Sequence, residues 1–206
     1  MPANSLRSVY SPKPIFCSLL EAGQRFQGVQ NSWKLVKDLD YWTVNVEIQN
    51  YEPEKGYICG SMEAIDVPRF DYPVITFWEG QVVDNIHYGF RTGCWDATEE
   101  DDLRHWSKFS AFRPFERMFE RNRAREVALH QLEYVFMRWK ERYFVNVPHN
   151  CGLTIAGFYY ICMNRITGKT QGYYFDPDSV PFQKLQLSPL CLLQGQGFST
   201  SSFAFQ

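Results

Sequence analysis

The sequence predicts an all-β protein with helical insertions, an antiparallel barrel or sandwich. Three observations predict it. Aromatic residues make up 17% of the 206 residues, an excess that suits an aromatic-lined barrel or groove better than a helical bundle. Several runs alternate apolar and polar residues with the period of two expected of half-buried strands. The links between those runs are short and carry turn residues, as in antiparallel meanders.

In chain order, residues 1–15 are polar and include Pro2, Pro12 and Pro14. They read as a disordered tail ahead of one domain, 16–206. Residues 42–49 alternate Trp, Val, Val and Ile with Thr, Asn, Glu and Gln, a half-buried strand. After the turn-rich 50–56, residues 57–64 resume a strand, and 74–83 form another, with Pro73 at its entry and Gly80 as an expected bulge. Thr98, followed by Glu99, Glu100, Asp101 and Asp102, supplies an N-cap, a capping-box acid and negative charge at the positive end of a helix. Leu103 and Trp106 would share one face of it. Residues 114–132 read as helical too, so that 98–132 becomes a helical insertion between strands. Further strands are expected at 134–145, 154–163, 171–175 and 198–205, with turns at 164–169 and 176–179.

The formal net charge is −2, which gives no global field favouring nucleic acid or an anionic membrane. None of the six cysteines forms a CxxC pair, so a zinc ribbon is not expected. No metal or cofactor is called for. The start lacks a leader-like apolar core, and no run approaches the ~18 apolar residues of a membrane span. The chain reads as a soluble intracellular protein with reduced thiols.

The catalytic motifs sought are missing: no Walker loop, no nucleophile elbow, no HExxH. His149-Asn150-Cys151 reads as a turn, and the arginines of 113–125, interleaved with Glu116, Glu120 and Glu126, as a solvated helix face. The informative run is 134–145. One strand face carries Val135, Met137, Trp139, Glu141, Tyr143 and Val145; the other carries Arg138, Lys140 and Arg142, on what reads as the wetter face. A carboxylate in an apolar row is costly unless a cation meets it. Three readings stay open for Glu141. It could hydrogen-bond internally to a tyrosine such as Tyr143 or Tyr159, pair with Glu79 as in a carboxylate-pair hydrolase, or receive a cation brought by a ligand.

The blocks 57–60, 76–80, 105–109, 134–141 and 156–162 (Tyr-Ile-Cys-Gly, Thr-Phe-Trp-Glu-Gly, His-Trp-Ser-Lys-Phe, Tyr-Val-Phe-Met-Arg-Trp-Lys-Glu and Ala-Gly-Phe-Tyr-Tyr-Ile-Cys) resemble the substrate receptors of the GID/CTLH ubiquitin ligase. These are also called the vacuolar import and degradation family. The likeness runs from about Ser18 to the C-terminus. It implies a lipocalin-like antiparallel β-barrel of about eight strands and a non-catalytic role. The barrel mouth would grip target proteins by an N-terminal proline, marking them, gluconeogenic enzymes among them, for ubiquitin-dependent proteasomal degradation. It further implies an armadillo-type scaffold partner reached through the C-terminal segment, and a cytoplasmic location with the nucleus as a second compartment.

By the same resemblance Glu141 accepts the N-terminal ammonium, Tyr159 assists it, and Gln183 and Gln30 flank the peptide. Gly152 and Thr154 are loop positions, and Met62, Val67, Val74, Phe77, Tyr143, Ile155 and Tyr174 are apolar walls. Thr154 stands where animal members have serine, and Met62 and Val67 where they have leucine. Ile155 and Tyr159 share a strand face and Thr154 does not, so Thr154 would reach the pocket only from a loop or bulge. The competing readings are a lipocalin-like small-molecule barrel and the carboxylate-pair hydrolase.

Overall fold

The computed structural model describes residues 12–32, 40–67, 70–148, 153–177 and 183–190. The strands are β1 (Arg25–Ser32), β2 (Asp40–Glu52), β3 (Tyr57–Ile65), β4 (Val74–Val82), β5 (Tyr134–Phe144), β6 (Phe158–Asn164), β7 (Thr170–Phe175) and β8 (Gln183–Pro189). They close into an eight-stranded antiparallel barrel in which each strand pairs with its sequence neighbour and β8 pairs with β1. An eight-stranded barrel is just wide enough for side chains to fill. Val44, Val46, Trp78, Met137, Trp139, Ile161 and Leu185 are buried in its core. Trp78 and Trp139 stack with ring centres 4.3 Å apart.

Two of these strands were not anticipated. β1 and β8 carry the closure, Phe26↔Pro189 through Ser32↔Gln183. The barrel is complete without the strand expected at 198–205, which lies outside the described residues. The strand expected from residue 154 starts at Phe158, so 153–157 is a connection. Gly80 is no bulge: β4 pairs with β3 without interruption, and the register shift falls between Phe77 and Trp78, opposite β5. Ile15, on the tail side of the boundary read from sequence, is 2% exposed and packs in the main core.

The insertion leaves β4 and returns at β5. Helix α1 (Glu99–Trp106) begins at the anticipated capping box, with Thr98 and Asp101 bonding reciprocally. Within 114–132, only Glu116–Asn122 (α2) is α-helical. It ends at Arg123 and Ala124, both in the left-handed region, and a 3-10 turn follows at Leu129–Gln131.

This insertion covers the outer face of β5 and β6. Phe90 meets Phe136 at 5.1 Å and Phe112 at 4.9 Å, and Trp106 meets Tyr160 at 4.9 Å. All seven residues of β6 are consequently buried. The outer face of β5 is therefore not the wet face that its cations suggested. Arg138 is fully buried and donates to Gln81 Oε1 (2.9 Å) and to the carbonyls of Gly89 (3.0 and 3.1 Å) and Phe90 (3.3 Å). The same aromatic layer encloses Asp102, which accepts from Thr92 N (2.7 Å) and Tyr160 Oη (2.8 Å). Such enclosed groups are tolerable only because their hydrogen bonds are made.

Candidate functional site

The insertion, the start of β1, the end of β8 and the β2–β3 and β6–β7 turns lie at one end of the barrel, and the site lies toward the other. There the inward rows of β4 and β5 run past the tryptophan pair to Thr76 and Glu141. Around these two lies a cavity of about 220 Å³. Its polar lining is Glu141, Thr76, Tyr159, Gln30, Gln183 and Thr154. Its apolar lining includes Met62, Val67, Val74, Ile155 and Tyr174. Every one of these except Thr76 was anticipated. A satellite cluster of Val67, Val74 and Val147, with Trp42, Phe144 and Leu153 packed on it, forms an apolar collar distinct from the main core.

Glu141 is only half-buried as a residue, because part of its surface faces the cavity. Its Oε1 accepts from Thr76 Oγ1 at 2.6 Å. Among the described residues no cation forms an ion pair with it. Its sequence neighbour Lys140 points outward, where its ammonium donates to the carbonyls of Ile155 (2.7 Å), Ala156 and Gly157 (2.8 Å). Burial raises the Glu141 pKa above the ordinary carboxylate value, and the Thr76 hydrogen bond and the Lys140 charge only partly offset it. Among the described residues the carboxylate is thus kept in a low-dielectric pocket with one neutral donor.

The other polar groups form a chain across the barrel. Tyr159 Oη donates to Gln30 Oε1 (3.0 Å), and Gln30 Nε2 donates to Gln183 Oε1 (2.6 Å). Burial and the Glu141 charge push the Tyr159 hydroxyl well above its usual range, so it stays protonated. Neither tyrosine raised as an internal partner bonds Glu141: Tyr159 is committed to Gln30, and the hydrogen bond comes from Thr76.

Thr154 and Ile155 line the cavity from the connection ahead of β6, as the parity argument required for Thr154. Thr154 Oγ1 accepts from Ala156 N (3.1 Å), and Tyr174 Oη accepts from Gly157 N (2.8 Å). A Cβ on Gly157 would fall 2.0 Å from Phe175 O, so only glycine lets this connection pass so near β7.

Two anticipated wall residues are elsewhere. Tyr143 is 47% exposed and stacks on Phe77 on the outer surface, centroids 5.2 Å apart. Facing Phe77 is Tyr143, whereas facing Trp78 is Glu141, so Arg142 is an extra residue that reverses the side-chain alternation. Phe144 takes the inward place instead. Phe77 is excluded by β4 itself, since Val74, Thr76 and Trp78 alternate inward. Gly152 lies outside the described residues. Sequence reasoning missed Trp42, Ala64, Thr76, Phe144 and Leu153 among the lining residues. Parity counted from Val74 points to Thr76 rather than Phe77.

Glu79 projects from the outer face of β4, accepting from Tyr57 Oη (3.1 Å) and pairing with Arg142 (3.1 Å). It shares no cavity with Glu141, so the carboxylate pair of a hydrolase is not formed. Among the described residues there is no cluster of metal-ligating side chains, and no helix is long and apolar enough to cross a membrane.

The family model described as vacuolar import and degradation protein matches residues 19–190. The glucose-induced degradation protein 4 homolog of Mus musculus is 35% identical over 175 residues, which covers 83% of this chain and 77% of that protein. GID complex substrate-recognition subunit 4 of Schizosaccharomyces pombe is 29% identical over 196 residues, covering 84% and 93% respectively. GID complex substrate-recognition subunit 10 of Saccharomyces cerevisiae is 27% identical over 203 residues, covering 82% and 68%.

Proposed function

This chain belongs to the vacuolar import and degradation protein family, and from that premise we propose that it is the substrate-recognition subunit of a GID-type ubiquitin ligase, which binds the N-terminal proline of target proteins in its barrel mouth. The observation that carries the reading is Glu141, a carboxylate in a cavity whose hydrogen-bonded partner is a neutral hydroxyl. Among the described residues no cation meets it, and a peptide α-ammonium supplies one.

A protonated N-terminal proline offers two N–H donors on a compact ring. One reaches Glu141, and the Tyr159 oxygen, whose proton is spent on Gln30, accepts the other. The ring packs on Met62, Val74 and Tyr174. The following residues leave through the collar of Trp42, Val67, Phe144 and Leu153, and the amide of Gln183 meets their backbone. Capture then presents the target for ubiquitylation and proteasomal destruction, gluconeogenic enzymes being the class expected. The scaffold contact falls to residues 198–206, outside the described residues, and the work is placed in the cytoplasm and nucleus. A cavity of about 220 Å³ is smaller than the roughly 300–1,000 Å³ of drug-sized ligand sites, which disfavours a small-molecule carrier.

Calorimetric titration tests the reading with a short peptide starting in free proline, the same peptide acetylated, and the Glu141→Gln protein. Breaking a buried charge pair costs about 3–5 kcal/mol, so acetylation or Glu141→Gln should weaken binding by roughly a hundredfold or more. Equal affinity in all three titrations would exclude the proposal.

A further inference from the structure

Thr76 Oγ1 already donates to Glu141 Oε1 at 2.6 Å, which leaves Oε2 the less committed oxygen of the carboxylate among the described residues. The other acceptor within reach of that hydroxyl is Met62 O, at 3.5 Å. A hydroxyl has one proton to give, and the shorter contact to a charged acceptor takes it. Thr76 and Glu141 are on adjacent strands, both facing inward, at the point where the extra residue Arg142 ends the inward run of β5. Among the described residues, Oε1 carries the only side-chain hydrogen bond of Glu141, so Oε2 is left for the cavity.

We infer that Thr76 is the positioning residue of the N-terminus site: its hydroxyl keeps the enclosed Glu141 ionised before a ligand arrives and turns Oε2 toward the incoming ammonium. The inference rests on the receptor reading for its ligand but not for its effect on the free carboxylate. An enclosed carboxylate with no donor protonates instead of waiting charged, and a protonated Glu141 offers an ammonium nothing to pair with. The groups around it supply little else. Tyr159 from β6 and Tyr174 from β7 are kept protonated by burial. Gln30 and Gln183 from β1 and β8 are uncharged, and Met62 from β3 is apolar. Lys140 acts from the outer face, with its ammonium engaged on three carbonyls. Thr76 is therefore the one direct donor to the carboxylate among the described residues.

The sign of the pH effect follows. The Glu141 pKa is raised in the fold, so ammonium binding is fullest between that pKa and the ammonium's own, and it is lost as pH falls through the Glu141 pKa. Removing the Thr76 donor raises the pKa further, and the loss then begins at higher pH.

The test uses the full-length protein with Thr76→Val, which keeps the shape and removes the donor, and Thr76→Ser, which keeps it. The first readout needs no ligand: the carbon-13 shift of the Glu141 carboxyl followed against pH by NMR. Its midpoint should rise in Thr76→Val and return in Thr76→Ser. The second is calorimetry with the free-proline peptide across pH. Near neutrality Thr76→Val should bind at least about tenfold more weakly, as expected for a lost hydrogen bond to a charged group, and its acid limb should move upward. An unmoved NMR midpoint overturns the inference whatever the peptide does. A moved midpoint with peptide affinity unchanged overturns the capture role. Failure of the wild-type protein to tell free from acetylated proline refutes the receptor reading instead, and the assignment of the ammonium with it.

Discussion

Arg142 decides which aromatic side chain of β5 meets a ligand. It is the extra residue where Phe77 faces Tyr143 but Trp78 faces Glu141. A bulge of this kind re-aims every side chain beyond it, which turns Tyr143 out and Phe144 in. The two residues should therefore separate two measurements. Phe144→Ala strips a wall of the cavity collar and should weaken proline-peptide binding roughly tenfold, the equivalent of an aromatic contact area lost from a pocket. Tyr143→Ala should leave that affinity within about twofold, but lower stability by about 1 kcal/mol through the loss of its stack on Phe77. Titration and denaturation of both variants check this; a binding loss in Tyr143→Ala would mean the parity assigned to β5 is wrong. The same residues show what a sequence discloses about the site. The oddity of Glu141 was legible, because a carboxylate in an apolar row is visible without coordinates. Its partner was not, since the Thr76 contact spans 65 positions of the chain. No local pattern announces a one-residue bulge, so strict alternation placed Tyr143 beside Glu141.

Elements meet the site at the seam between β5 and β6. Their pairing stops at Trp139↔Tyr159, and the chain before β6 would drift from the barrel if nothing else held it. Lys140 takes over there, with one ammonium on the carbonyls of Ile155, Ala156 and Gly157. This explains why an outward lysine bears on an inward cavity: it fixes the connection that carries Thr154 and Ile155 into the wall. Three donors on one cation match three acceptors. Lys140→Met should release the connection, raising hydrogen exchange at residues 154–157 while exchange in β2 and β3 stays as it was. Peptide affinity should fall about tenfold with those charged hydrogen bonds. Unchanged exchange in that stretch would count against the clamp. Alternation of the cations suggested a wet face, but the insertion buries Arg138 and the connection ahead of β6 engages Lys140. The start of α1 was legible because a capping box is a local signal. The covering of β5 by α1 and its neighbours was not, because it depends on packing across the fold.

At the scale of the molecule, the barrel is a ring whose last join is β1 against β8, and the site straddles that join. Gln30 of β1 and Gln183 of β8 bond across it at 2.6 Å. The join was also the least legible part of the fold: β1 is interrupted by Gly28, and β8 alternates Leu185 and Leu187 with polar residues over only a few positions before Pro189. That glycine, which weakens the strand pattern, is what permits the closure. A Cβ at Gly28 would lie 1.7 Å from Gln186 O and 2.9 Å from the Leu187 Cα. Both obstacles are backbone of the partner strand, so no side chain can swing aside. Gly28→Ala must therefore push β1 off β8, and it should destabilise the protein by about 3 kcal/mol, the upper end for overpacking in a rigid core. The displacement should also part Gln30 from Gln183 and so reduce peptide binding beyond what unfolding explains. Gln27→Ala, on the outer face of the same strand, is the control and should do neither. Denaturant midpoints, with titration under conditions where each variant is folded, measure both effects. A Gly28→Ala protein as stable as the wild type would show that the ring does not depend on this close approach. One that is destabilised but binds normally when folded would show that the two glutamines keep their places without the β1–β8 join.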